Sequence, residues 1–294
     1  MDANSGTHRC GFVAIMGRPN VGKSTLLNQL LGQKLAITSH KPQTTRHNIL
    51  GIKTIPAGQI LFLDTPGIHQ RGKNALNRSL NRIAKASVTD ADLIVWVLEA
   101  GVWTEEDKLV LNFLAGVDIP CIGAINKIDK IKSKQALLPY LAMLAQHRTW
   151  HEIIPIAARV GTQLEVLEQT ILSALPFKPP IFPANQISDR HMRFFAAELL
   201  REQLIRRYDK ELPYKLFVQI EQFKEESKLY RIDALIWVER PTQKAIIIGN
   251  NGLALKATAQ AARLKMEHFF GCKVHLKVWV KCKPNWTCDI ELVN

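Results

Sequence analysis

The stretch Gly17-Arg18-Pro19-Asn20-Val21-Gly22-Lys23-Ser24 sets two glycines, a lysine and a hydroxyl at the spacing G-x-x-x-x-G-K-[ST], with Thr25 next in line. Glycines at these positions let the backbone curl until successive N–H groups converge, which makes a nest for phosphate oxygens. An apolar run, residues 12–16, precedes the loop, and an amphipathic stretch, Lys23–Leu31, follows it. A strand before and a helix after is the setting such a loop needs, because the helix N-terminus adds its partial positive charge. A chance glycine-rich turn would not carry that setting. In it, Lys23 bridges the β- and γ-phosphates of a nucleotide and Ser24 is a ligand for Mg²⁺.

A second cluster chooses the base. Asn126-Lys127-Ile128-Asp129 follows the apolar run 121–125. Guanine presents a ring N–H beside an exocyclic amine. One carboxylate accepts from both, so Asp129 reads guanine and rejects adenine. Asn126 braces the neighbouring loops, and the stem of Lys127 covers one face of the ring.

Two further segments complete a nucleotide switch. Asp64-Thr65-Pro66-Gly67 ends the apolar run 60–63. Its carboxylate reaches Mg²⁺ through water, and the Gly67 N–H swings onto a γ-phosphate and lets go after hydrolysis. Lys41-Pro42-Gln43-Thr44-Thr45-Arg46-His47 offers a threonine that ligates Mg²⁺ only while GTP is bound, Thr45 being favoured over Thr44. Lys23, Thr45 and Gly67 are therefore the catalytic candidates. Many GTPases orient water with a glutamine after that glycine. Here the position is Ile68, which has neither donor nor acceptor. Slow intrinsic hydrolysis follows, needing help from backbone groups, a monovalent cation such as potassium, or a partner. Asn20 is a candidate cation ligand, although its plainer role is a turn residue.

Elements must hold these groups. Short apolar runs at 12–16, 60–63, 93–98 and 121–125 read as strands buried on both faces. Helical stretches at 23–31, 75–88, 105–114, 136–144 and 164–175 alternate with them, which predicts a doubly wound α/β domain with a mostly parallel sheet over residues 1–176. The run from Pro176 to Pro183 contains four prolines and reads as a stiff linker, 177–188. Residues 189–294 then change character: a helix at 189–208, strands at 214–223 and 229–238, a short segment at 243–247, Gly249-Asn250-Asn251-Gly252, a helix at 253–270 and a strand at 273–280. This is a smaller α+β domain.

The formal charge of +13 makes polyanions the expected partners, nucleic acid or an acidic membrane surface. The start of the chain is polar, without the apolar core of a secretory signal. The five cysteines (Cys10, Cys121, Cys272, Cys282, Cys288) form no Cys-x-x-Cys pair, which argues against zinc and a disulfide framework and for reduced thiols in a cytoplasm.

These motifs in this order resemble the translation-factor class of GTPases. With the C-terminal part they resemble one family, the Era family of bacterial ribosome-assembly GTPases, from about Cys10 to about Trp286. The stretches that carry the resemblance are 17–28, 37–51, 64–68 and 246–252. It implies a Ras-like GTPase domain followed by a type II KH domain, with GTP or GDP and Mg²⁺ as ligands. It further implies binding near the 3′ end of 16S ribosomal RNA during maturation of the 30S particle, by a monomer. A Gly-x-x-Gly loop of this kind clamps the backbone of a single strand while its bases lie in the adjacent groove. Gly249, Asn250, Asn251 and Gly252, with Lys256 one turn into the next helix, are the RNA candidates there. Lys277 and Lys281, on one face of the last strand, join them, though edge lysines also guard against aggregation.

Three positions depart from the family pattern. Asn250 and Asn251 replace the usual basic residue of the loop. Ala157, before Ala158, stands where related GTPases have serine ahead of a backbone N–H aimed at the guanine carbonyl. The chain also stops soon after Trp286. Two rival readings are an RNA-binding module that only senses nucleotide, and a peripheral GTPase of the inner membrane acting in cell division; no helix has the lysine-flanked apolar face that favours the latter.

Overall fold

The computed structural model describes residues 8–39, 41, 44–46, 48–67, 75–131, 133–209 and 212–284. They divide into two compact units, Met1–Asp189 and Arg190–Asn294.

The first unit runs β1 (Arg9–Met16), α1 (Lys23–Leu31), β2 (Ile49–Ile55), β3 (Gly58–Asp64), α2 (Ala75–Thr89), β4 (Leu93–Glu99), α3 (Glu105–Leu114), β5 (Cys121–Asn126), α4 (Leu137–His147), β6 (Glu152–Pro155) and α5 (Leu164–Ala174). Its six-stranded sheet has the order β2-β3-β1-β4-β5-β6. Every pairing is parallel except β2 with β3. β4 and β5 are buried along almost their whole length, as strands covered by helices on both faces must be. The continuous apolar runs in the sequence came from that double burial.

The sequence pattern missed the two edge strands. β2 carries Gly51, Lys53 and Thr54 among its isoleucines, and its second half is only half-buried. β6 has four residues and one of them is buried. Half-covered edges lack the uninterrupted apolar signal that marked the centre.

The proline-rich segment lies along this unit. Gln59, fully buried on β3, accepts on Oε1 from the N–H groups of Ile181 (2.9 Å) and Phe182 (3.0 Å), and its amide donates to the Phe182 carbonyl (2.8 Å). Further on, the Ile52 N–H donates to the Ile187 carbonyl (2.9 Å) and Ser188 Oγ donates to the Leu50 carbonyl (2.7 Å). Prolines leave few N–H groups to satisfy, so a single buried amide can hold the strap.

The second unit runs α6 (Met192–Arg207), β7 (Leu216–Glu226), β8 (Leu229–Val238), α7 (Pro241–Ile248), α8 (Leu253–Phe270) and β9 (Lys273–Cys282). β8 pairs antiparallel with β7 and parallel with β9. Its core joins Leu199, Leu200 and Leu204 of α6 and Ala262 and Met266 of α8 to one face of the sheet, where Ile232, Ala234, Ile236, Val274 and Val280 meet them. The order α-β-β-α-α-β, with a glycine loop between α7 and α8, is that of a type II KH module.

Candidate functional site

β1 ends at Met16 and the chain turns through residues 17–22 into α1. This is the crevice at the carboxyl ends of parallel strands where α/β sheets bind ligands. Gly22 sits at φ 108°, and a side-chain carbon there would come within 2.4 Å of Nδ2 of Asn126. Asn126, buried at the end of β5, donates from Nδ2 to the Val21 carbonyl (2.7 Å). Its Oδ1 accepts from the N–H groups of Lys127 (2.8 Å) and Ala158 (2.9 Å). One side chain thus pins the phosphate loop, the base-reading loop and the 157–158 turn to each other.

Lys23 is buried, with Nζ donating to the carbonyls of Gly17 and Arg18, each at 3.0 Å. Burial, opposed in part by Asp64, lowers its pKa to about 8. An ammonium stripped of water, whose hydrogen bonds among the described residues go to neutral carbonyls, favours an arriving anion.

Three oxygen donors from three separate motifs meet beside it. Ser24 Oγ donates to Asp64 Oδ2 (3.0 Å) and lies 3.0 Å from Thr45 Oγ1, which reaches the same Oδ2 at 3.4 Å. Asp64 is fully buried, and its Oδ1 has no partner among the described residues. Burial pushes this carboxyl up to about 6, against the pull of Lys23, Ser24 and Thr45. Two hydroxyls and a carboxylate with an orphaned oxygen are a donor set that fits a hard divalent cation such as Mg²⁺. Thr44 is placed elsewhere, donating to the Lys41 carbonyl at 2.6 Å. Thr65 donates to the Ile15 carbonyl (2.7 Å) and ties the loop to β1, and beyond Pro66 the backbone of Gly67 lies against Pro19. Ile68, Gln43 and His47 lie outside the described residues.

On the base side, Ile128 and Asp129 occupy a single helical turn, Ile128–Lys130. Asp129 is exposed, with no side-chain partner among the described residues. Lys127 holds φ 67°, and its Nζ lies 2.9 Å from Glu99 Oε2. The same Oε2 lies 2.8 Å from the guanidinium of Arg18, whose Nε is 3.2 Å from Asp107. The Arg18 side chain is therefore committed to acids, and its carbonyl serves Lys23. Both N–H groups offered to the base by the 157–158 turn are engaged within the protein, Ala157 with the Thr162 carbonyl (3.2 Å) and Ala158 with Asn126. Asn20 is exposed at φ 64°, which its role as a turn residue explains. Sequence reasoning missed Glu99 and Asp107. Glu99 was visible as the charge that ends an apolar run, and Asp107 as the third residue of the Thr104 capping box.

In the second unit, α7 ends at Ile248 and Gly249 takes φ 71°, where a side-chain carbon would meet Cβ of Ala254 at 2.5 Å. Asn250 and Asn251 are exposed in one helical turn, which the Leu253 N–H closes on the Asn250 carbonyl, and Gly252 opens α8 with no side-chain cap. Lys256 is exposed on the first turns of α8. The large apolar side chains Ile246 and Leu253 flank the loop and are more than half exposed. Lys277 and Lys281 are not brought to it. Residues 274, 276, 278 and 280 of β9 pack toward the helices, so Lys277, Trp279 and Lys281 occupy the opposite face of the sheet. There Lys281 sits 3.7 Å from Glu221 and over the Trp237 ring at 5.8 Å. The RNA candidates thus form two surfaces rather than one.

Phosphate loop, oxygen-donor cluster and guanine-type loop on a doubly wound sheet define a GTPase domain, and the second unit defines a KH domain. Comparison with known proteins agrees. Residues 12–127 match a family described as 50S ribosome-binding GTPases, and residues 211–287 match the KH domain. The GTPase Era of Pseudomonas aeruginosa is 52% identical over 281 residues, covering 96% of this chain and 92% of its own. The one from Stenotrophomonas maltophilia is 49% identical over 282 residues, covering 96% and 95%. The chain belongs to the Era GTPase family. Two solved structures align with a TM-score of 0.93 at 41% identity over 97% of each chain: an Aquifex aeolicus Era variant bound to GDP and aluminium fluoride, and Era in complex with MgGDPNP and nucleotides 1506–1542 of 16S ribosomal RNA. Among the described residues no helix is long and apolar enough to cross a membrane.

Proposed function

We propose that this GTPase is a cytoplasmic timer for small-subunit assembly, which binds the 3′ region of 16S ribosomal RNA in its GTP state and lets go after hydrolysis. The observation that carries the switch is the meeting of Ser24, Thr45 and Asp64 around an unpartnered carboxylate oxygen beside a buried lysine. The assignment of 1–176 to nucleotide, 189–294 to RNA and 177–188 to their connection belongs to the same reading.

In this reading the loop 17–22 wraps the phosphates, with Lys23 on the β- and γ-phosphate oxygens and Thr25 following Ser24 in the first turn of α1. Ser24, Thr45 and, through water, Asp64 hold Mg²⁺, which neutralises charge on the bridged phosphates. Gly67 donates its N–H to the γ-phosphate. Asp129 accepts from guanine, whose ring lies against the Lys127 stem. Water attacks the γ-phosphorus in line, the bond to the β–γ bridging oxygen breaks, and GDP and phosphate leave. Lys23 carries the charge that develops as that bond breaks. With isoleucine at 68, no side chain there orients the water, so turnover without an activator is slow. Backbone groups, a monovalent cation such as potassium, or a partner such as the RNA supply the missing order.

On the RNA side, Gly249 and Gly252 permit the close approach of the RNA backbone, Asn250 and Asn251 present backbone N–H groups to phosphates, Lys256 adds a charge, and Lys277 and Lys281 meet the RNA on the second surface. The 16S RNA bound by the Era of known structure supports this partner. GTP turnover with and without an RNA of that 3′ sequence tests the reading. Stimulation by that RNA and not by a scrambled one is expected. Tight RNA binding without stimulation would move the activator to the assembling particle, and no RNA binding would end the proposal.

A further inference from the structure

We propose that Glu99 is a positioning residue for the guanine base, holding the Lys127 stem where the ring lies against it and tying that stem to the phosphate loop through Arg18. The proposal rests on the reading that Lys127 and Asp129 meet the base.

The geometry is specific. Glu99 ends β4 and stands directly across from Asn126, its register partner on β5. The Ala100 N–H donates to the Asn126 carbonyl (2.9 Å), so the two strand ends are fixed to one another. From that fixed point a single oxygen, Oε2, faces both Lys127 Nζ at 2.9 Å and Arg18 at 2.8 Å. Arg18 and Lys127 belong to the two motifs that flank a bound nucleotide, one at its phosphates and one at its base. The Lys127 backbone is locked at φ 67° with its N–H on Asn126 Oδ1. What remains free is its four-carbon side chain, and Glu99 fixes the end of it.

Charge explains why an acid stands here. Arg18 and Lys127 bring two cations close together, and Glu99 and Asp107 bring two anions. Although burial raises the Glu99 carboxyl, the hydrogen bonds from Lys127 and Arg18 outweigh it and keep the group ionised. Removing Glu99 frees a long lysine chain to many rotamers. Closing it down again costs binding free energy each time a base docks.

The test compares ligands with and without a base on the full chain. Glu99→Ala and Glu99→Gln are assayed for affinity toward GDP and toward tripolyphosphate, both with Mg²⁺, and for GTP turnover and melting temperature. The Ala variant is expected to weaken GDP about tenfold, the size of one lost charge-assisted hydrogen bond. Tripolyphosphate should change less than about twofold, since Asp107 still holds Arg18. The loss in turnover should fall mainly on KM, and the Gln variant should lie between Ala and the parent. Parallel weakening of both ligands with a lowered melting temperature would mean that Glu99 only shapes the phosphate loop, and would overturn the proposal, as would unchanged GDP affinity. Asp129→Asn, assayed alongside, separates the two claims. If it leaves the preference for guanine over adenine intact, the base-site reading itself fails. A failure confined to the Glu99 variants removes only the positioning role.

Discussion

The phosphate loop and the Gly-x-x-Gly loop are both glycine turns leading into a helix, yet they are built on opposite terms. Around the first, buried and half-buried polar side chains have assigned places: Asn126 serves three loops, Lys23 two carbonyls, Arg18 two acids. Around the second, Asn250, Asn251 and Lys256 are exposed, and the α8 N-terminus has no side-chain cap. A small rigid ligand undergoing chemistry needs atoms placed in advance. A flexible polymer brings its own shape and many weak charges, so its site can stay open. Substitutions should therefore act as near-total losses at the first loop and as graded ones at the second.

The largest effect is expected from Lys23→Ala, which should cut GTP turnover about a thousandfold. RNA affinity of the nucleotide-free protein, measured by filter binding, should stay within about twofold. Loss of both together would break the contrast. Gly249→Ala comes next. A methyl group at φ 71° pressed on Ala254 should weaken RNA about thirtyfold through distortion of the loop, while turnover without RNA is unchanged.

Asp64→Asn sharpens the comparison, because the nucleotide site stores electrostatic cost that the RNA loop lacks. The folded carboxyl titrates near 6, above its unfolded value of 3.8. Its favourable contribution is thus fully present below about 3.8 and lost as pH rises through 6. At neutral pH the buried charge destabilises the nucleotide-free protein. The asparagine variant should then melt higher above pH 6 in thermal scans without nucleotide, and should lose the tightening of GTP by Mg²⁺. The smallest effects belong to the open surfaces. Lys256→Ala, Lys277→Ala and Lys281→Ala should each weaken RNA about two- to fivefold and make the salt slope shallower by about 0.7 for each phosphate no longer neutralised. A change for Lys256 alone would confine RNA to the helical face of the KH unit.

Sequence patterns revealed the centre of the first unit, because double burial forces continuous apolar runs and phosphate chemistry forces fixed spacing. They did not reveal β2 or β6, whose outer faces are only partly covered, nor Glu99, whose partners Arg18 and Lys127 lie 81 and 28 positions away and meet it only through the sheet register. The strap held by Gln59 was equally hidden. Proline content marks a segment that cannot join a helix but does not say what it lies against. The alternation of β9 was legible. Its consequence, that Lys277 and Lys281 turn away from the loop at Gly249, needed the helices to be placed on one face of the sheet.

A timer of this kind requires that nucleotide state set RNA affinity. The direct test is the affinity of the full chain for the 3′ sequence of 16S ribosomal RNA with a non-hydrolysable GTP analogue and with GDP, at one salt concentration. Binding should be tighter with the analogue, by about tenfold or more, since a smaller difference would shift the bound population too little to act as a timer. Equal affinity in the two states would rule the timer out.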